Sequence, residues 1–333
     1  MAADDKKIPY YQRIANELIE QLKVGAAPWQ VPWEAGVPKM PHNPISGTRY
    51  KGANALWLAM QGRGDSRWMT YKQAQGIDAQ VKKTERGTLV QYWKLFDQIT
   101  KKDDNGKPIL GSDGTPIKTT IKLDKPRVFS AIVFNAEQIE GLPELEAKAE
   151  PDWQRHERAE KIINALGVPI CHDQHNNAYY CPSTDSIHLP RREQFDTADK
   201  FYATILHECG HASGASHRLD RDLTGRFGDE SYAKEELRAE IGSLMLGDEL
   251  QIGHDYGQHA AYVDHWVKVL QDDPKEILRA SRDAEKIHDY VMEFEKENSK
   301  VVTVEQSRSS QPKSVVELAE RLKVRELGEE LER

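Results

Sequence analysis

The sequence predicts an α+β protein: a first domain in which short helices are interleaved with strands, then a mainly helical second domain with a small β-sheet. Three observations carry this expectation. The chain has 333 residues, enough for two domains that each bury a core. Up to about residue 145, aromatic and β-branched runs such as TLVQYWKLFD and RVFSAIVFN alternate with short helical patterns. Beyond about residue 150, long stretches of helical periodicity dominate, broken by two short strand-like segments.

In order along the chain, Ile14, Leu18 and Leu22 recur at i, i+4, i+8 and mark an amphipathic helix closed by Gly25. Proline and tryptophan alternate in APWQVPW, where Trp29 and Trp33 are expected to be structural, and NPISGTRYKGAN is turn-rich. ANALWLAMQG and TYKQAQGI read as short helices and TLVQYWKLFD as a strand. The Asp, Asn, Gly and Pro content of residues 100–120 marks a hairpin loop, after which RVFSAIVFNAEQI reads as a buried strand. GLPELEAKAEPDW is the expected joint, dividing a domain at 1–145 from one at 150–298. The second begins with a helix through RHERAEKIINAL, followed by a hairpin from NAYYCPS to DSIHLP that turns at Ser183 to Asp185. Helices follow from about Asp199, through YAKEELRAEIGSLMLG and on to about Asn298. Residues 299–333 are expected to be a flexible linker and a terminal helix.

Charge is distributed unevenly. The whole chain carries −8, but residues 1–130 carry +8 and the remainder −16. A basic module fused to an acidic one suggests a polyanionic partner for the first. No apolar run reaches the roughly 18 to 20 residues that cross a bilayer, and the N-terminal stretch has no apolar signal core, so a cytoplasmic location without membrane contact is expected. Cys171, Cys181 and Cys209 form no CxxC pair, which fits a reducing compartment, and Cys209 reads as a packing residue.

The chemistry concentrates in TILHECGHASGASHRLDR. His207 and His211 are four apart on a helix, so both imidazoles can reach one ion, while Glu208 projects toward water bound to it as a general base. Zinc is the expected ion, with manganese or another divalent cation as alternatives. The third ligand has two candidates. HECGHASGASH fits the metzincin pattern HExxHxxGxxH, in which Gly214 turns the chain and His217 binds. On the next helix, EELRAE offers Glu236 as ligand, with Glu240 on the same face to orient a histidine. Glu236 is favoured, because the Met-containing turn of metzincins has only Met245 to supply it, and Met245 lies in the helical run IGSLML.

In the basic half, tryptophans and cations are dense, and aromatic faces that stack bases beside cations that follow phosphates are how single strands are held without sequence preference. The candidates are Arg49, Tyr50, Lys51, Arg67, Trp68, Tyr71 and Lys72, with Lys82 and Lys83 on the following turn.

With these residues in view, the chain resembles the ArdC-type antirestriction proteins of conjugative plasmids, whose N-terminal domain is shared with TraC-type primases. The resemblance rests on NPISGTRYKGANALWL, SRWMTYKQA, VFNAEQIEGLP, HLPRREQF, HECGHASGASHRLDR, YAKEELRAEIGS and YVDHWVKVLQDDPKEILRASRDAEK. It implies an α+β domain that binds single-stranded DNA, followed by a zincin-like metallopeptidase domain, acting together to protect incoming plasmid DNA. The peptidase partner would be a protein of the host restriction machinery. In the family pattern His217 falls at a variable position, Ala215 stands where histidine is common, and the glutamate of EELRAE carries over onto Glu236. Two rival expectations are a DNA coat whose metal is structural, and a zinc peptidase whose N-terminal half recognises a protein.

Overall fold

A computed structural model of the protein describes residues 8–31, 39–146, 149–226, 228–254 and 262–309. Trp33 and residues 310–333, including the expected terminal helix, lie outside the described residues. The first half runs α1 (Tyr10–Val24), β1 (His42–Asn43), β2 (Thr48–Arg49), α2 (Gly52–Ala59), β3 (Trp68–Thr70), α3 (Tyr71–Gln75), β4 (Gln80–Val81), β5 (Thr88–Thr100), β6 (Lys118–Asn135) and β7 (Ile139–Glu140). The second runs α4 (Asp152–Leu166), β8 (Ile170–Gln174), β9 (Tyr179–Cys181), β10 (Ser186–Pro190), α5 (Ala198–Ala212), α6 (Glu230–Glu249), α7 (Val263–Asp272) and α8 (Glu276–Ser309). No helix among the described residues is long and apolar enough to cross a membrane.

Helix α1 forms as its periodicity predicts, burying Ile14, Leu18 and Leu22, and Gly25 ends it at φ 71°, a left-handed conformation that costs glycine nothing. What α1 packs against differs from the expectation of two separate cores. One hydrophobic cluster joins Ile14, Leu18 and Trp29 to Leu237, Trp266 and Ile277 of the second half. Trp29 meets Trp266 edge-on at 6.0 Å, and the Trp266 indole donates to the Ala233 carbonyl at 3.1 Å. The reason is geometric: the strands of the first half offer α1 and α2 little sheet surface to cover, so their apolar faces close on α7 and α8.

That shortage of sheet also explains β6, a strand where expected but not a buried one. It pairs with β5 from Val133↔Thr88 to Lys118↔Thr100, with a bulge between Lys94 and Phe96, and β3 reaches only its last three residues. Val133 is accordingly 1% exposed, whereas Phe129 is 52% exposed. The result is a long ribbon with uncovered faces.

In the second half, β8, β10 and β9 form a sheet in that order, with β9 antiparallel and β8 parallel to the central β10. The hairpin turn falls where predicted, with Asp185 at φ 47°, but β8 escapes prediction because ICHDQ mixes polar and apolar residues without alternation. Helix α8 continues to Ser309, through the first part of the stretch expected to be a linker. Neither Gly nor Pro occurs between Glu276 and Ser309 to stop it.

Polar contacts also tie the halves. The Asp248 carboxylate at the end of α6 accepts from the backbone N–H groups of Lys39 at 2.5 Å and Met40 at 3.1 Å. Burial pushes its pKa up to about 6, against the lowering effect of those two bonds. A carboxyl with a folded pKa above its unfolded one contributes stability at acid pH that is lost as the pH rises through about 6. Urea denaturation at pH 4.5 and pH 7.5 should therefore show the wild type losing on the order of 2 kcal/mol relative to Asp248→Asn.

Candidate metal centre

Helix α5 starts at Ala198 with the Thr197 hydroxyl accepting from Lys200 N–H, and carries His207 and His211 one turn apart on one face. Their Nε2 atoms lie 3.2 Å apart. Helix α6 runs beside α5, held close to α8 at Gly242, where a methyl group would stand 3.1 Å from Ile287 Cγ2. This brings Glu236 to the paired histidines, with Oε2 3.7 Å from His207 Nε2 and Oε1 3.5 Å from His211 Nε2. The ligand atoms of His207, His211 and Glu236 all lie within 4.8 Å of one another, a set able to hold a metal ion.

Glu208 is 5% exposed, and its Oε2 has no hydrogen-bond partner among the described residues. Burial raises its pKa, while His207 and His211 act to lower it. For Glu236, burial also acts to raise the pKa, but His211 and His207 outweigh it and hold the carboxyl well below the usual range. His211 is the counterpart: burial opposes its charge, yet Glu236, Glu235 and Glu208 raise its pKa well above the ordinary value. Three buried carboxylates therefore face two imidazoles, and the centre demands positive charge where the imidazole nitrogens converge. A divalent cation fits that donor set.

The alternative third ligand is not at this point. His217 has a side chain 60% exposed, and its Nε2 is 3.4 Å from Asp185 rather than in the centre, because α5 ends at Ala212 and the following turns carry His217 away. Gly214 has a different use from the turn expected of it. A Cβ there would stand 2.8 Å from the Arg221 guanidinium, which instead packs over the bare backbone and donates to Gly210 O and to Glu235.

Glu240 is fully buried, with its Oε2 2.8 Å from His254 Nε2. The carboxylate beside His211 is Glu235, whose Oε1 is 3.4 Å from His211 Nδ1 and accepts from Arg221 Nη2 at 2.7 Å. Tyr232 and Tyr262, whose hydroxyls are 3.3 Å apart, complete one wall of a cleft of about 1040 Å³ counted to its open mouth. Ala178, Tyr179 and Tyr180, on and just before the edge strand β9, line it as well. Sequence reasoning sets Glu235 aside as a weaker ligand candidate facing about 100° from Glu236, and misses Arg221, His254 and both tyrosines. The one available signal was Tyr232, four residues before Glu236 and so on its helix face.

The expected nucleic-acid residues divide. Tyr50 and Trp68 are core residues, 6% and 2% exposed, and the Tyr50 hydroxyl donates to Trp68 O, so neither ring offers a face for stacking. Arg67 is folded onto Asp65 and the Pro143 carbonyl. Arg49 and Lys51 bind α8 at Glu285 and Asp289, linking the two halves. Their polar neighbours in sequence misled because exposure depends on what packs from elsewhere. Tyr71, Lys72, Lys82 and Lys83 are exposed, with Lys82 donating to the Glu137 carbonyl. The aromatic surface lies on the ribbon instead, where Tyr92 pairs across the strands with Phe129, Lys94 pairs with Arg127, and Trp93 is 56% exposed.

Two family models match the chain: the N-terminal domain of anti-restriction factor ArdC over residues 9–129, and a zincin-like metallopeptidase domain over residues 157–283. The crystal structure of the metal-free antirestriction protein ArdC from the R388 plasmid has 33% identity and a TM-score of 0.66, covering 87% of this chain and 99% of that one. Its Mn(II)-bound structure gives 32% identity and a TM-score of 0.64, covering 86% and 98%. A DNA primase TraC of Escherichia coli is 58% identical over 293 residues, which are 87% of this chain but 20% of the primase. The chain thus spans less than a third of the curated primases that it matches.

The contact of Glu235 with His211 generates an expectation independent of turnover. Glu235→Ala should weaken divalent-metal binding about 10- to 100-fold, read by competition with a chromogenic chelator.

Proposed function

The chain belongs to the ArdC family of antirestriction proteins, and on that premise we propose that it binds incoming single-stranded plasmid DNA without sequence preference and carries a metal-dependent peptidase centre that acts against host restriction. The observation that carries the peptidase part is a buried glutamate, Glu208, with one oxygen unpartnered among the described residues, beside two imidazoles and a second carboxylate that all line an open cleft. His207, His211 and Glu236 would hold the ion, zinc or, as in the R388 relative, manganese. When bound there, the ion supplies a Lewis acid and makes water acidic enough to be deprotonated near neutral pH.

The chain's own residues do the remainder. Glu208 accepts a proton from water entering the cleft and returns it to the amine nitrogen of the departing peptide. Tyr232 and Tyr262 line the cleft beside Glu236, and their hydroxyls would donate to the carbonyl oxygen as it gains charge. Strand β9 is an edge, so a substrate polypeptide can align on it as an added strand. A protein of the host restriction machinery is the partner of that chemistry. Glu208→Gln should retain its one equivalent of Mn(II) and lose hydrolysis of unfolded protein substrates, followed by gel and mass spectrometry. Unaltered cleavage by the variant removes this mechanism.

DNA binding is assigned to the β5–β6 ribbon. Tyr92 and Phe129 form an exposed aromatic pair, and Lys94 and Arg127 follow on the same face, arranged around Asp97. Bases stack on such rings, at roughly 1–3 kcal/mol each, while cations track the backbone. Tyr71, Lys72 and Lys83 extend the exposed set. The double variant Tyr92→Ala, Phe129→Ala should bind an oligonucleotide at least about tenfold more weakly by fluorescence anisotropy, and Tyr50→Phe should bind as the wild type does. The ribbon also favours a second reading, in which coating alone protects the DNA. Under it, Glu208→Gln protects transferred DNA fully in a conjugation assay.

A further inference from the structure

The sheet β8-β10-β9 carries a second group of metal-ligating side chains on the face turned away from α5. Ile187 and Leu189 of β10 are fully buried toward the helices, so alternation along the strand sends Ser186 and His188 to the opposite face. Cys171 of β8 stands directly beside His188 in the parallel register, and Asp173, two residues on, shares that face. The ligand atoms of Cys171, Asp173 and His188 all lie within 4.8 Å of one another.

The surroundings orient these groups. His188 Nδ1 is 2.9 Å from Asp173 Oδ2, and its Nε2 is 3.0 Å from the Ser186 hydroxyl, itself 2.7 Å from the Thr184 hydroxyl. The Tyr179 ring stacks on the imidazole at 4.9 Å with an interplanar angle of 10°. Gln174 donates to Asp173 Oδ1 at 3.0 Å. A plain ion pair on a solvated sheet accounts for His188 and Asp173. It does not account for a free, half-buried thiol converging on the same point from the neighbouring strand.

We propose that Cys171, Asp173 and His188 form a second divalent-metal site, separate from the centre on α5 and α6 and selective for a thiophilic ion of the zinc class. His188 binds through Nδ1 while its Nε2–H donates to Ser186 Oγ, which fixes the tautomer as a carboxylate or carbonyl does behind other ligating histidines. The Cys171 thiol releases its proton to solvent on binding, and water fills the fourth position. Bonds of roughly 2.0 Å to nitrogen and oxygen and 2.3 Å to sulfur call for ligand atoms about 3.3–3.7 Å apart, which small rotations of Cys171 and the exposed Asp173 side chain provide. The thiolate separates the two sites chemically. Manganese suits imidazole and carboxylate but not sulfur, whereas zinc and cobalt accept all three.

The test uses the full chain, stripped with chelator and titrated with Co(II), Zn(II) or Mn(II). Cobalt should give two bound equivalents and a near-ultraviolet thiolate-to-cobalt charge-transfer band; manganese should give one equivalent. Cys171→Ser should lose one cobalt equivalent and the band while keeping the other, and His188→Gln should do the same. The double variant His207→Ala, His211→Ala should keep the band. A single cobalt equivalent in the wild type, absence of the band, or a band that survives Cys171→Ser overturns the proposal. The equivalent that remains in Cys171→Ser also reports that the variant has folded.

Discussion

The structure depends on the side-by-side packing of α5 and α6, which presses Glu236 against two imidazoles inside the protein. Burying a carboxylate is costly unless a cation meets it, and here Glu208, Glu235 and Glu236 are all buried within one small volume. Among the described residues, His207, His211 and Arg221 are the basic groups that face them. Such a cluster is a poor way to stabilise a fold and a good way to create a hole in the charge balance that a metal ion fills. The two helices must be rigid for this to work, and α8, closing on α6 at Gly242, supplies the backing.

Around that charge centre the remaining features divide between positioning and access. Arg221 lies over the bare backbone of Gly214 and fixes Glu235, which in turn lies beside the outer nitrogen of His211. The sheet edge at β9 and the two tyrosines keep one side of the cleft open and lined with hydrogen-bonding groups. The opposite requirement governs the ribbon, whose aromatic residues stay out of the core because no described element covers β5 and β6 beyond their base.

What could be read from the amino acids alone follows the range of the interactions involved. HECGH was legible because helical periodicity alone puts His207 and His211 on one face, and EELRAE because it puts Glu236 on a helix, although the meeting of the two helices is a matter of packing. The Arg221–Glu235–His211 chain was not, since it needs a loop to return across a helix end. Tyr50 and Trp68 were misjudged for a related reason: polar neighbours along the chain say little about neighbours in space. In the same way, the apolar stripe of α1 announces a helix but not that Trp266, more than two hundred residues later, will cover the adjoining Trp29.

That common core has a consequence for how the molecule can be cut and inherited. Severing the chain near residue 150 strands the apolar stripe of α1 and the Trp29 ring in water, and equally uncovers Leu237, Trp266 and Ile277, so each fragment inherits half of an interior. The β5–β6 ribbon and the metal cleft therefore hang on one shared interior, to which Val90 and Val133 of the ribbon base also belong. The 293 residues matched in the far longer TraC primase span both halves of the chain, and so both sides of that interior.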